Sequence, residues 1–132
     1  MIKEVTANLV VDRIEPSADF FAKVGFEINM QVPEGNHMGF ALLKSGDAQL
    51  MYQTRESLKE DSATFEKAYD GRTPSMLFIT VEDVAAVETS LAGYKVMMPM
   101  RDTFYGAREI TYEEPGGHYV TFAEFAEDAG SD

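Results

Sequence analysis

Apolar positions come in short runs separated by turn-forming residues, and the spacing within the runs changes along the chain. Val5 to Val11 (VTANLVV) is rich in β-branched and apolar residues and stops at Asp12-Arg13, which predicts a buried strand. Pro16-Ser17 opens a helix. Ala18, Phe20, Phe21 and Val24 give it an apolar face at helical spacing, and Gly25 ends it. Strands are predicted over Phe26 to Val32, Met38 to Lys44 and Ala48 to Gln53. Pro33-Glu34-Gly35-Asn36 and Ser45-Gly46-Asp47 separate them, and the last two form a hairpin. From Thr54 to Arg72 the chain is polar, with Leu58, Phe65 and Tyr69 at helical multiples, as suits one surface helix or two short ones connecting two halves.

After Thr73-Pro74 the order begins again. A strand over Ser75 to Val81 leads through Glu82-Asp83 into a helix over Val84 to Ala92, then Gly93 and a strand over Tyr94 to Met98. A loop through Pro99 and Phe104-Tyr105-Gly106 precedes strands over Ala107 to Glu113 and His118 to Phe125, joined by Glu114-Pro115-Gly116-Gly117. Val11 and Val81 each precede an acidic turn, Gly46 and Gly116 each precede a closing strand, and the interval along the chain is the same for both pairs. Strand, helix and three strands, twice over, is the pattern of an internal duplication. It divides the chain into module one (about 1–54), a connector (about 55–73), module two (about 74–126) and an acidic tail (127–132).

Composition narrows the chemistry. At 132 residues, 45% hydrophobic and 26% charged, the chain has the size and balance of one globular domain. It contains no cysteine, so disulfides, thiolate nucleophiles and cysteine-bound zinc are excluded. No apolar run approaches a membrane span and the opening MIKEVTANLV is unlike a signal peptide, which together point to a cytoplasmic protein. Twenty-three acidic against eleven basic residues give a net charge of −12, making nucleic acid and anionic membranes poor partners. No lysine or arginine follows Arg108, whereas Glu109, Glu113, Glu114, Glu124, Glu127, Asp128 and Asp132 do. This excess reads as a solvated, solubilising tail, or as a field that concentrates a cationic ligand. No nucleophile elbow or phosphate-binding loop is present.

Four stretches carry a family resemblance: Asn8 to Gly25 (NLVVDRIEPSADFFAKVG), Gly46 to Gln53 (GDAQLMYQ), Leu77 to Val84 (LFITVEDV) and Tyr105 to Phe122 (YGAREITYEEPGGHYVTF). The last is the most specific, with its aromatic-Gly-x-Arg, strand, acid-Pro-x-Gly turn and second strand. The chain resembles the vicinal oxygen chelate superfamily, the group of glyoxalases, bleomycin-resistance proteins and extradiol dioxygenases. That resemblance implies an α+β fold in which two βαβββ modules pair into a curved, cup-shaped mixed sheet around a ligand cavity, often as a homodimer.

Metal-dependent members place His, Glu or Gln at an inward position on the first and last strand of each module. Registration on the family pattern puts Thr6, Met51, Met76 and Thr121 there, none of them a good donor for a divalent cation. A slip that brought in Gln49 would supply one donor, and His37 and His118 read as solvated loop residues. No metal or other cofactor is therefore expected. Met51, Met76 and Phe78 are expected to line an apolar cavity with Thr6, Asn8 and Thr121 as its polar groups, while Met97 and Met98 suit core or lining equally. Tyr105 could stack on a flat ligand and Arg108 meet an anionic group; equally, Tyr105 could pack its loop and Arg108 pair with a surface acid. The expected function is sequestration of a small organic, preferably cationic, molecule in the manner of bleomycin-resistance proteins. The alternatives are a metal-independent lyase or isomerase, or a small-molecule sensor or carrier.

Overall fold

The computed structural model of the protein describes residues 1–69 and 72–126, without the side chains of residues 65 and 66. Two compact units, Met1–Pro74 and Ser75–Asp132, divide the chain. The first contains β1 (Ala7–Val11), α1 (Glu15–Ala22), β2 (Glu27–Glu34), β3 (His37–Ser45), β4 (Ala48–Thr54), α2 (Arg55–Asp61) and α3 (Ala63–Ala68). The second contains β5 (Met76–Thr80), α4 (Val84–Ser90), β6 (Lys95–Asp102), β7 (Ala107–Glu113) and β8 (Tyr119–Phe125). Each unit is built on one four-stranded mixed sheet, ordered β1-β4-β3-β2 and β5-β8-β7-β6. The fold is α+β, with the strand–helix–strand–strand–strand order in each unit that the apolar pattern predicts.

Register carries the duplication further. Asn8 lies opposite Met51 in the parallel β1–β4 pair, and Phe78 lies opposite Thr121 in the parallel β5–β8 pair, with each residue displaced from its counterpart by the interval that separates Val11 from Val81. In both units the helix crosses between the first and second strands and covers one side of the sheet. Gly25 (φ 103°) and Gly93 (φ 95°) follow α1 and α4 in the left-handed conformation that lets the chain leave a helix and turn back. Thr54 caps α2 by accepting the N–H of Ser57 at 3.1 Å, and Asp83 caps α4 by accepting that of Ala86 at 3.1 Å.

The cores lie between each helix and the sheet face below it. In the first unit Phe20 and Phe21 of α1 are fully buried with Ala41, Leu43 and Tyr52, and the Phe21 and Tyr52 ring centroids are 6.2 Å apart. In the second, Val84 and Leu91 are buried with Ile110, Tyr112, Val120 and Phe122. Tyr112 and Phe122 meet edge to face at 6.1 Å. Burial raises the Tyr112 phenol above its ordinary pKa, with the Glu88 charge adding in the same direction.

Three expectations need correction. The strand expected to end at Met98 runs on through Pro99 to Asp102. Pro99 is tolerated because β6 ends the sheet order of its unit, and its pairing with β7 is irregular between Met98 and Arg101. His118 is not a solvated loop residue: it is 2% exposed, and its Nδ1 accepts the N–H of Ser75 at 2.8 Å. Glu114, the acid of the acid-Pro-x-Gly turn, accepts the His118 N–H at 3.0 Å and is itself buried. The acidic run after Arg108 is therefore not a solvated tail throughout, since Glu109 and Glu114 are buried partners in β7 and its turn. Glu127, Asp128 and Asp132 lie outside the described residues. Among the described residues no helix is long and apolar enough to cross a membrane.

Candidate ligand-binding face

Side chains alternate along a strand, so each sheet has one face toward its helix and one away from it. In the second unit the face away from α4 is built in rows across β5, β8, β7 and β6. One row is Met76, Tyr119, Glu113 and Lys95; the next is Phe78, Thr121 and Thr111 with Met98; the third is Thr80, Ala123, Glu109 and Arg101. Phe125 follows on β8, in phase with Ala123.

The apolar members of this face are left in solvent: Met76 is 79% exposed, Phe78 53%, Met98 43% and Phe125 38%. Their rings continue into the loop between β6 and β7. Phe78 and Phe125 have centroids 6.3 Å apart, Phe125 and Tyr105 6.2 Å, and Tyr105 meets Phe104 edge to face at 5.1 Å. Four aromatic rings thus form a continuous row.

Beside that row sits a buried carboxylate. Glu109 is 4% exposed, its Oε1 accepting from Nη2 of Arg101 at 2.9 Å and its Oε2 from the Tyr105 hydroxyl at 2.5 Å. The hydrogen bond to Glu109 raises the Tyr105 phenol above its ordinary pKa, helped by partial desolvation and the Glu109 charge, because ionising the phenol would place two anions side by side. Further along the same face the hydroxyls of Thr111 and Thr121 bond at 2.7 Å, and Lys95 pairs with Glu113 at 3.2 Å.

The corresponding face of the first unit has another chemistry. Asn8, Met51, Leu42 and Met30 form one row and Val10, Gln53, Phe40 and Val32 the next. Gln53 is buried and knits the row to α2. Its Nε2 donates to Asp61 at 2.7 Å and to Ser57 at 3.1 Å, and its Oε1 accepts from Asn8 at 3.1 Å. Gln49 donates to Thr6 at 2.5 Å and to Glu4 at 3.1 Å.

The residues singled out in the sequence thus fall into two groups. Thr6, Asn8 and Met51 belong to the amide-rich face of the first unit, and Met76, Phe78, Thr121 and Tyr105 to the aromatic face of the second. Arg108 belongs to neither. It projects on the opposite side of β7 from Glu109, with Nε donating to Asp102 at 3.0 Å, a bond that raises its pKa further. There it lines a surface pocket of about 360 Å³ with Asp102, Thr103 and Glu124. The cation beside the row of rings is instead Arg101. Sequence reasoning missed it because β6 was expected to stop at Met98; it missed Glu109 by counting it with the tail, although period-two alternation puts Glu109 in phase with Thr111.

Thr6, Met51, Met76 and Thr121, the positions that the family resemblance assigns to metal ligands, offer two hydroxyls and two thioethers. Thr6 and Thr121 already bond to Gln49 and Thr111, and Met51 and Met76 offer only soft sulfur. Among the described residues no three His, Cys, Asp or Glu side chains come together in a way that could hold a metal ion. These residues do not fit a resident divalent metal.

With the geometry in place, comparison with known proteins settles the family. The model of the Glyoxalase/Bleomycin resistance protein/Dioxygenase superfamily matches residues 3–122. The chain belongs to this superfamily. No curated protein matches it. Solved structures of the superfamily's fold do. TioX from Micromonospora sp. ML1 superposes with a TM-score of 0.75 at 18% identity, over 95% of this chain and 100% of that one. TnmS3, an antibiotic binding protein from Streptomyces sp. CB03234, gives 0.66 at 17% identity, over 95% and 98%. A bleomycin-binding protein complexed with bleomycin gives 0.63 at 15% identity, over 95% and 100%. At such identities the likeness establishes the fold.

Proposed function

We propose that this member of the superfamily is a metal-free binder of a small organic molecule, holding a flat or extended ligand on the aromatic face of its second unit without turning it over. The observation that carries this reading is the row of Phe78, Phe125, Tyr105 and Phe104, partly in solvent and flanked by Met76 and Met98. Exposed aromatic rings in a row offer stacking surfaces, and thioethers adapt to varied apolar shapes. Bleomycin-binding and antibiotic-binding proteins among the similar structures support the same reading.

The net charge of −12 favours a cationic guest during approach. The reading includes a homodimer, because a second copy would cover strand edges and apolar surface that favour aggregation when left bare. Tyr105 is a poor general base, since its proton is held by Glu109 and its pKa is raised.

The test is calorimetric titration with cationic, neutral and anionic aromatic compounds at two salt concentrations, each mixture then assayed for product. Cationic compounds should bind more weakly at higher salt, because exposed charges are screened over a Debye length of about 8–10 Å near physiological ionic strength. Neutral compounds should be nearly indifferent to salt. Product formation would overturn the binder in favour of an enzyme, and a panel without any binding would overturn the site.

A further inference from the structure

Resting on the reading of the aromatic face as a binding site, we propose that Arg101 determines its specificity and selects conjugated ring ligands that carry a carbonyl oxygen on one edge. Three observations combine. Arg101 is half exposed, whereas the carboxylate that holds it is only 5% exposed, so one end of the ion pair is fixed and the other faces solvent. A guanidinium has five N–H donors, and the bond from Nη2 to Glu109 uses one of them. Glu109 also binds the Tyr105 hydroxyl through its other oxygen, so the donor fork stands beside the ring row at Tyr105.

The pair decides the acceptor's charge. Glu109 neutralises Arg101, so the guanidinium offers directional hydrogen bonds rather than a spare positive charge, and the net charge of −12 opposes an anion's approach. A neutral carbonyl meets both conditions. The ring stacks on Phe78, Phe125 and Tyr105 while its edge oxygen accepts from Arg101. Any cationic substituent of the same ligand projects elsewhere. Holding Arg101 through Glu109 also lowers the entropy lost when the ligand's oxygen is bound.

The proposal is tested with naphthamide, which has an edge carbonyl, and naphthylmethylammonium, which has the same rings and no acceptor. Both are titrated calorimetrically at moderate salt against the parent, Arg101→Met and Arg101→Lys, with circular dichroism to confirm folding. Hydrogen bonds to charged groups are worth about ten- to a hundredfold in affinity, so Arg101→Met should weaken naphthamide by roughly that factor. Naphthylmethylammonium should lose no affinity and should gain some, because the substitution uncovers the Glu109 charge. Arg101→Lys keeps the pairing with Glu109 but loses the planar fork, and should weaken naphthamide by roughly threefold or more. It also decides the matter should Arg101→Met fail to fold. Unchanged naphthamide affinity in folded variants, or equal losses for both probes, would overturn the role of Arg101 and leave the binding face standing. A parent that binds neither probe would overturn both.

Discussion

Tyr52 and Phe122 stand at equivalent places in the two sheets, and both are fully buried against their unit's helix. Asn8 and Phe78 stand in the same relation on the opposite faces, yet one is an amide bonded to Gln53 and the other a bare aromatic ring. The contrast separates two pressures on a duplicated fold. On the helix side, close packing favours large apolar or aromatic residues, and the equivalent pairs Leu50/Val120 and Tyr52/Phe122 keep that character. On the other side nothing in the fold prescribes the residue, so one unit carries an amide network closed onto α2 and the other a row of rings beside a buried ion pair.

The largest effects should fall where the units agree. Tyr52→Ala and Phe122→Ala should each destabilise the protein by about 3–5 kcal/mol, the usual cost of emptying a large aromatic site. Urea unfolding followed by circular dichroism measures this. A loss below about 1 kcal/mol at either position would mean that its unit does not depend on the packing described.

Where the units differ, substitutions should divide by function. Phe78→Ala removes a half-exposed ring and should weaken an aromatic ligand by roughly tenfold, with stability within about 1 kcal/mol of the parent. Asn8→Ala, at the counterpart position of the first unit, should leave that affinity unchanged. Calorimetry on both variants sharpens the comparison; equal losses would place the ligand against both faces.

The smallest effect is a shift in titration. Because the neutral Tyr105 phenol is favoured by Glu109, its pKa is raised in the folded state. Its contribution to stability is therefore present below the ordinary phenol value and is lost as pH rises through the raised one. Glu109→Gln keeps an acceptor but removes the charge, and should move the tyrosinate absorbance of Tyr105 back toward the ordinary range. The difference between parent and variant, with Tyr105→Phe to assign the signal, reports it.

Much of the fold was legible in the sequence, whereas the contrast between the two faces was not. Turn residues and a change of apolar period located every strand and the helices of both units, because those signals are local. The constant interval between matching residues of the two halves anticipated the shared register of β1–β4 and β5–β8 for the same reason. The candidate site was legible in part. Registration on the family pattern singled out Met76 and Thr121, alternation added Phe78, and Tyr105 came from its place in the family signature. The centre of the site was not legible, since it rests on a pairing of β6 with β7 beyond a proline, where sequence offers no period to follow. Arg101 is brought to Glu109 by that pairing, and the buried Glu109 carboxylate bonds to both Arg101 and Tyr105. His118 was misjudged similarly: it is buried and bonded to the N–H of Ser75, distant in sequence.

The claim that the ligand belongs to the aromatic face can be tested with the chain's own methionines. Met30 and Met51 lie on the amide-rich face, Met76 and Met98 on the aromatic one, and Met38 is buried away from both. Methyl resonances of isotope-labelled methionine, assigned by single Met→Leu variants and followed during titration with naphthamide, report on all of them at once. The account predicts saturable shifts at Met76 and Met98 with Met30, Met38 and Met51 unmoved. Shifts confined to Met30 and Met51 would contradict it.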